Sequence, residues 1–365
     1  MKVKKLFKFN PRSVKTDEFY AKIKAYIKVC AAFHYPETKG DYEPDFSKPI
    51  FLEKNLLRVW KDYHRALRQL RRLDIKVLSE NYRNLSDEYS KEMMLKVLAY
   101  NCFADPRLRF PVFYSPHLQM GDIINGFAVD DSEMRLCDDL VKLRKLDISK
   151  LGYNLTLWHS IIGTAIDFVQ EQYKYRNLVE AEPGDVVIDA GACYGDTALY
   201  FSEKTKGADI YSFEFLPENL AVFNKNVELN PRYKSNIHLV ESPIGDVSGD
   251  KLYAVPSGPG TSVSSIRQPN AIELETVSID DFVERNHIQK VDFIKMDIEG
   301  SEEAALRGAA KTIRKFKPKL AICAYHKLDD LCVLPKLIKE LVPEYRMYLD
   351  HFTINFTETV LFAKV

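Results

Sequence analysis

The stretch that most constrains this chain runs from Val186 to Leu199 and reads Val-Val-Ile-Asp-Ala-Gly-Ala-Cys-Tyr-Gly-Asp-Thr-Ala-Leu. Val186, Val187 and Ile188 form a short apolar run of β-branched residues, suited to a strand buried on both faces. Pro183-Gly184-Asp185 before it is turn chemistry. Asp189 ends the strand, Gly191 and Gly195 follow, and Asp196-Thr197-Ala198-Leu199 begins a helix. Strand, glycine turn and helix start together form the opening unit of a nucleotide-binding α/β fold. The glycines let the backbone turn tightly and approach a ligand, and the helix end offers free N–H groups and a positive dipole.

The spacing narrows the ligand. A dinucleotide fingerprint places glycines as G-x-G-x-x-G, seating a pyrophosphate on the helix end. Here Cys193 stands where the middle glycine would be, leaving D-x-G-x-x-x-G. That relaxed form suits a ligand without a pyrophosphate, and S-adenosylmethionine is the obvious one. An ordinary glycine-bearing turn is the plain alternative.

The chain has 365 residues, enough for one large domain or two ordinary ones, and its formal net charge is zero. No global field favours nucleic acid or an anionic membrane. The six cysteines contain no C-x-x-C pair, which speaks against zinc and a disulfide scaffold and for reduced thiols in a cytoplasmic enzyme. The basic start, Met1 to Lys8, lacks the apolar core of a signal peptide, and no apolar stretch is long enough to span a bilayer.

The first half reads as mainly helical, with helices expected over Thr16–Phe33, Glu53–Leu78, Ser86–Ala99 (Ser86 as cap), Leu136–Leu146 and Leu155–Leu178. Loops are expected over His34–Pro49 and Arg107–His117, and a short strand or turn over Gly121–Val129. One face of the second helix is basic (Arg58, Lys61, Arg65, Arg68, Arg71, Arg72) and could bind phosphate, nucleic acid or an anionic glycan; a solvated face is the plain reading, and aromatics are not interleaved on it as a nucleic-acid strand would want. A cap, a substrate lid and a surface for homo-oligomers all remain open. The expected division is a helical accessory region over 1–150 and a cofactor domain over 151–365, with its core at 182–365.

From Val186 onward strands and helices alternate, as in a mostly parallel sheet covered on both faces. Strands are expected at Asp209–Phe213, Ile237–Val240, Val291–Met296 and Leu320–Ala324, with a closing pair at Arg346–His351 and Thr359–Ala363. Glu214 ends the second strand, where an acid accepts hydrogen bonds from a ribose diol, and Phe215 beside it can pack on adenine. Pro217-Glu218-Asn219 opens the next helix. Ser242 lies after the third strand, near the expected adenine edge. Two extra strands, Lys251–Val255 and Ala271–Val277, flank a loop over Ser257–Ser265 that either covers substrate or is a free turn. Ser278-Ile279-Asp280-Asp281 has a capping-box pattern. A helix is expected over Glu302–Lys315 and another around Leu334–Leu341.

The series Asp189-Ala-Gly-Ala-Cys-Tyr-Gly-Asp, Glu214, Ile294-Lys-Met-Asp-Ile-Glu-Gly-Ser-Glu and Tyr325-His-Lys-Leu-Asp-Asp-Leu resembles the FkbM family of S-adenosylmethionine-dependent methyltransferases over about Glu182–Val365. The resemblance implies a class I methyltransferase fold: a Rossmann-like α/β seven-stranded sheet with an antiparallel last strand. It implies methyl transfer to a hydroxyl of a sugar, glycan or secondary-metabolite acceptor. The cofactor set is then Asp189, Gly191, Ala192, Tyr194, Gly195, Asp196, Thr197, Glu214, Phe215, Asn219, Ser242 and Asp297. Asp297, His326 and Glu299 are the catalytic candidates, with Asp297 or His326 taking the hydroxyl proton. The same three side chains could instead hold Mg²⁺. Two other classes stay in view: a nicotinamide oxidoreductase, opposed by the missing glycine and the terminal hairpin, and a non-catalytic or partner-dependent binding protein.

Overall fold

The computed structural model describes residues 18–34, 51–52, 56–103, 116–137, 141–256, 260–353 and 357–365. The expected 34–49 and 107–117 loops, and the tip of the 257–265 loop, lie largely outside these residues.

The described chain opens with α1 (Glu18–Ala32), the two-residue pair β1 (Phe33–His34) and β2 (Phe51–Leu52), then α2 (Leu56–Leu70), α3 (Ile75–Asn84), α4 (Glu88–Asn101) and α5 (Pro116–Asn125). A small antiparallel sheet follows, formed by β3 (Ala128–Leu136), β4 (Val141–Asp147) and β5 (Thr156–His159). Its strands lie on both sides of residue 150. Next come α6 (Ile161–Thr164), a single π turn at 165–169, β6 (Val187–Ala190), α7 (Asp196–Thr205), β7 (Ile210–Phe213), α8 (Pro217–Leu229) and β8 (Ile237–Val240). A second small sheet holds β9 (Lys251–Ala254), β10 (Val263–Ser264) and β11 (Ile272–Glu275). The chain closes with α9 (Ile279–Arg285), β12 (Phe293–Met296), α10 (Glu302–Arg307), α11 (Ala310–Phe316), β13 (Lys319–Cys323), α12 (Asp330–Leu341), β14 (Arg346–His351) and β15 (Thr359–Lys364).

The main sheet has seven strands in the order β14-β15-β13-β12-β6-β7-β8. Helical crossovers keep the strands from β6 to β13 parallel, whereas the short link after β14 returns β15 antiparallel between β14 and β13. This is the class I methyltransferase arrangement. Alternating side chains serve two cores. Ile188, Ala190, Ile294 and Ile322 face α1–α4 and α9–α12, while Val187, Phe293 and Ala321 face α7, α8 and β5.

The N-terminal helices join the first of these cores directly. Asn81 donates to the carbonyls of Leu331 and Cys332 (2.9 and 2.8 Å), and the Ser90 hydroxyl accepts from the Leu349 N–H (3.0 Å). No described helix is long and apolar enough to cross a membrane.

Several expectations are corrected here. The helix expected over Glu53–Leu78 is two, because Asp74 caps α3 by accepting from the N–H groups of Lys76 and Val77. Asp87, not Ser86, caps α4, and the Ser86 N–H bonds Met347 instead. Gly121–Val129 holds the end of α5 and the start of β3. The described part of Leu136–Leu146 is not helix: Leu136 ends β3 and Val141 to Leu146 lie in β4, whose buried Leu143 and Leu146 are three apart and imitate helical spacing. Leu155–Leu178 is β5, α6 and the π turn rather than one helix. The amides of Asn226 on α8 and of Asn230 just beyond its end bond the backbone of Trp158 and Thr156, fixing β5 as a strand. Glu302–Lys315 breaks into α10 and α11 at Gly308, where a Cβ would meet the Gly245 carbonyl oxygen.

Candidate active site

The carboxyl ends of β6, β7 and β12 converge on one cleft, as open parallel sheets require. Register explains its floor. Asp189 lies between Ser212 on β7 and Lys295 on β12, all three on one face. It accepts from the hydroxyls of Thr197 (2.9 Å) and Ser212 (3.2 Å) and pairs with the Lys295 ammonium at 3.2 Å. Lys295 is fully buried and also donates to the carbonyls of Ala190 (3.1 Å) and Gly191 (2.5 Å). Burial would lower its pKa, but Asp189 and Asp297 hold it raised and charged. Asp189 and Thr197 thus fix the turn through this buried knot, and Asp189 does not line the cleft.

The turn is set by close approach. Gly191 has φ +81°, and a Cβ there would run into the Asp297 carbonyl oxygen. Gly195 has φ +78°, and a Cβ would lie 2.9 Å from the Phe223 ring. Ala192 is buried and donates its N–H to the Phe213 carbonyl (2.9 Å). Gly191 and Cys193 line the cleft, whereas Tyr194, Asp196 and Thr197 line a second cavity that shares Gly191, Cys193 and Asp297 with it.

Glu214, Phe215, Asn219 and Ser242 all reach the cleft. Glu214 accepts from the N–H groups of Phe215 (2.6 Å) and Leu216 (2.8 Å) and from the Asn219 amide (3.0 Å). Burial raises its pKa against these bonds. Three of a carboxylate's roughly four acceptor directions are used, so a second ribose hydroxyl would compete with Asn219. Ser242 donates to the Glu275 carbonyl (2.6 Å), tying the cleft to the second small sheet; Val263 of β10 and Thr261 just before it also line the cleft. The described part of the 257–265 loop therefore forms part of the cleft wall.

Across the cleft lies the turn Asp297-Ile298-Glu299-Gly300. Glu299 and Gly300 both have positive φ (53° and 93°), a strained arrangement typical of functional turns. Asp297 faces both cavities and accepts from the hydroxyls of Tyr173 and Tyr325, each at 3.1 Å. The His326 ring sits among three carboxylates: Glu302 at 2.9 Å, Asp297 at 3.3 Å and Glu299 at 3.6 Å. Burial opposes its charge, but the adjacent carboxylates of Asp297 and Glu302 raise its pKa to about 11. Burial likewise opposes charge on Asp297, yet His326 and Lys295 hold that carboxyl well below the usual range.

At neutral pH His326 is therefore already protonated and Asp297 is a weak base. His326 lies off both cavity walls, where it orients Asp297. Glu299 differs: it lines the cleft, and burial pushes its pKa up to about 7. The candidate Mg²⁺ set is altered too, since the atoms within 4.8 Å of one another belong to Asp297, Glu302 and His326, not Glu299. Tyr173, Lys295 and Glu302 were not among the expected site residues. Lys295 carried a readable signal, a lone cation inside an otherwise apolar strand.

The cleft wall carries three acids, Glu214, Asp297 and Glu299, and no lysine or arginine among its described residues. A pyrophosphate would be repelled there, while a sulfonium cation is suited to it. The fold and this cleft define a class I methyltransferase. Residues 189–353 match the family model described as the methyltransferase FkbM domain. The chain's cofactor is S-adenosylmethionine. The chain is similar to the hexuronic acid methyltransferase AglP of Haloferax volcanii, with 24% identity over 51% of this chain and 73% of that one. It is also similar to the crystal structure of methyltransferase FkbM from Methylobacillus flagellatus KT. That match has a TM-score of 0.52 and 22% identity, and covers 79% of this chain but only 58% of the other.

Proposed function

We propose that this enzyme is an O-methyltransferase acting on a hydroxyl of a sugar or glycan. The observation that carries this reading is Glu299 on the cleft wall, beside an Asp297 that two tyrosines and a histidine hold in one orientation. When bound, S-adenosylmethionine supplies an electrophilic methyl group on sulfur. Glu214 and Asn219 bind the ribose side, with Phe215 and Ser242 near the base. Asp297 stays ionised and aligns what lies between the two cavities, so the acceptor oxygen is held in line for displacement. Glu299, poised near neutral pH, accepts the hydroxyl proton. Similarity to a hexuronic acid methyltransferase supports a sugar acceptor. We assign His326 to positioning rather than to base catalysis.

The test is to incubate the enzyme with methyl-labelled cofactor and a panel of neutral and uronic-acid glycans, then treat the products with alkali. An alkali-stable methyl ether supports the reading. Label on nitrogen, or only in an alkali-labile carboxylate ester, overturns it.

A further inference from the structure

The second cavity, below the glycine turn, contains a cluster that neither the fold nor the proposed transfer step uses. His159 comes from the end of β5, Asp167 from the π turn, and Asp196 from the first residue of α7. His159 Nε2 lies 2.9 Å from Asp167 Oδ2. One potential ligand atom from each residue falls within 4.8 Å of the others. His159 and Asp196 are each only 6% exposed, and His159 Nδ1 and Asp196 Oδ1 have no hydrogen-bond partner. A buried carboxylate oxygen with no partner is unfavourable unless something occupies it.

Nearby cations do not satisfy this cluster. Lys295 lines the same cavity, but its ammonium is committed to Asp189 and to the carbonyls of Ala190 and Gly191. Asp297 and Glu358 add further carboxylates to the wall, with Gln172 and Tyr173 as neutral neighbours. The cavity wall therefore carries four acids, Asp167, Asp196, Asp297 and Glu358, against His159, the already committed Lys295 and an exposed Lys142.

We propose that His159, Asp167 and Asp196 bind a divalent cation. One imidazole and two carboxylates favour a transition ion such as Mn²⁺ or Zn²⁺ over the all-oxygen preference of Mg²⁺ or Ca²⁺. Three protein ligands leave coordination positions open to the cavity shared with Asp297. A polar group of the acceptor would occupy them; that last step rests on the O-methyl reading, whereas the site itself does not.

The test titrates Mn²⁺ into chelator-treated full-length protein and follows loss of the free-ion EPR signal, with pulsed EPR to detect coupling to an imidazole nitrogen. Expected are one ion per chain, nitrogen coupling that disappears in His159→Gln, and at least about tenfold weaker binding in the near-isosteric D196N. Circular dichroism and a cooperative thermal melt of the same samples show that each variant is folded, and because neither depends on cofactor binding the result is separate from the fate of the methyltransferase reading. No Mn²⁺ binding by the wild type overturns the proposal. So does binding that survives D196N but is lost in His326→Gln, which would place the ion at the Asp297–Glu302 cluster.

Discussion

His326 and Glu299 stand side by side, and their environments drive them to opposite states. A protonated imidazole between Asp297 and Glu302 cannot take another proton, while a carboxyl with a pKa of about 7 can do so at neutral pH. Glu299→Gln should lower kcat by about 100-fold and remove an acidic limb near pH 7 from the rate profile; an unchanged profile would assign that limb to another group. His326 makes a different prediction. Its folded pKa of about 11 lies above its ordinary 6.5, so the stability it brings is complete below pH 6.5 and is lost as pH rises through about 11. Urea denaturation of wild type and His326→Gln should differ most near pH 6 and converge towards pH 11. Sequence placed Asp297, Glu299 and His326 together because all follow strand ends. It could not rank them as bases, because that order depends on burial and on how Glu302, Lys295 and Tyr325 from the same strand ends, and Tyr173 from far along the chain, face them in space.

Elements were legible where one signal dominated. The strands from β6 onward read clearly because short apolar runs sit between turn residues, and the β14–β15 pair emerged with β14 matched residue for residue. The 155–178 stretch misled because its apolar residues face two different surroundings at helical intervals, and the Asn226 and Asn230 amides that make it a strand lie about 70 residues away. Asn226→Ala would strip the Trp158 N–H and the Tyr194 carbonyl of their partners. It should destabilise the fold by about 1–3 kcal/mol in denaturant melts. Gly308 offers a cleaner contrast. Gly308→Ala drives a methyl into the Gly245–Asp246 backbone, whereas Gly121→Ala in α5 meets nothing within 4 Å. The first should cost about 1–3 kcal/mol and the second should be neutral or stabilise by up to about 1 kcal/mol. Equal midpoints for the two would contradict the packing described at the α10–α11 break.

At the scale of the whole molecule, the N-terminal helices share a core with the sheet. Phe19, Leu78, Met93 and Leu98 belong to the same buried cluster as Ile294, Ile322 and Met347, and Ser90 bonds the β14 backbone. A chain cut to residues 151–365 should therefore lose cooperative unfolding, and a soluble fragment with wild-type cofactor affinity would refute that. Composition concealed this dependence, since helices over the first hundred residues read equally well as a separate cap. The central claim is that the acidic cleft at the ends of β6, β7 and β12 holds the adenosyl cofactor. Calorimetric titration with S-adenosylhomocysteine, on the wild type and on Glu214→Ala, tests it most directly. The account predicts micromolar binding that weakens at least about tenfold in the variant, the loss of a charge-assisted hydrogen bond; equal affinity in both proteins, or tighter binding of NADH by the wild type, would contradict it.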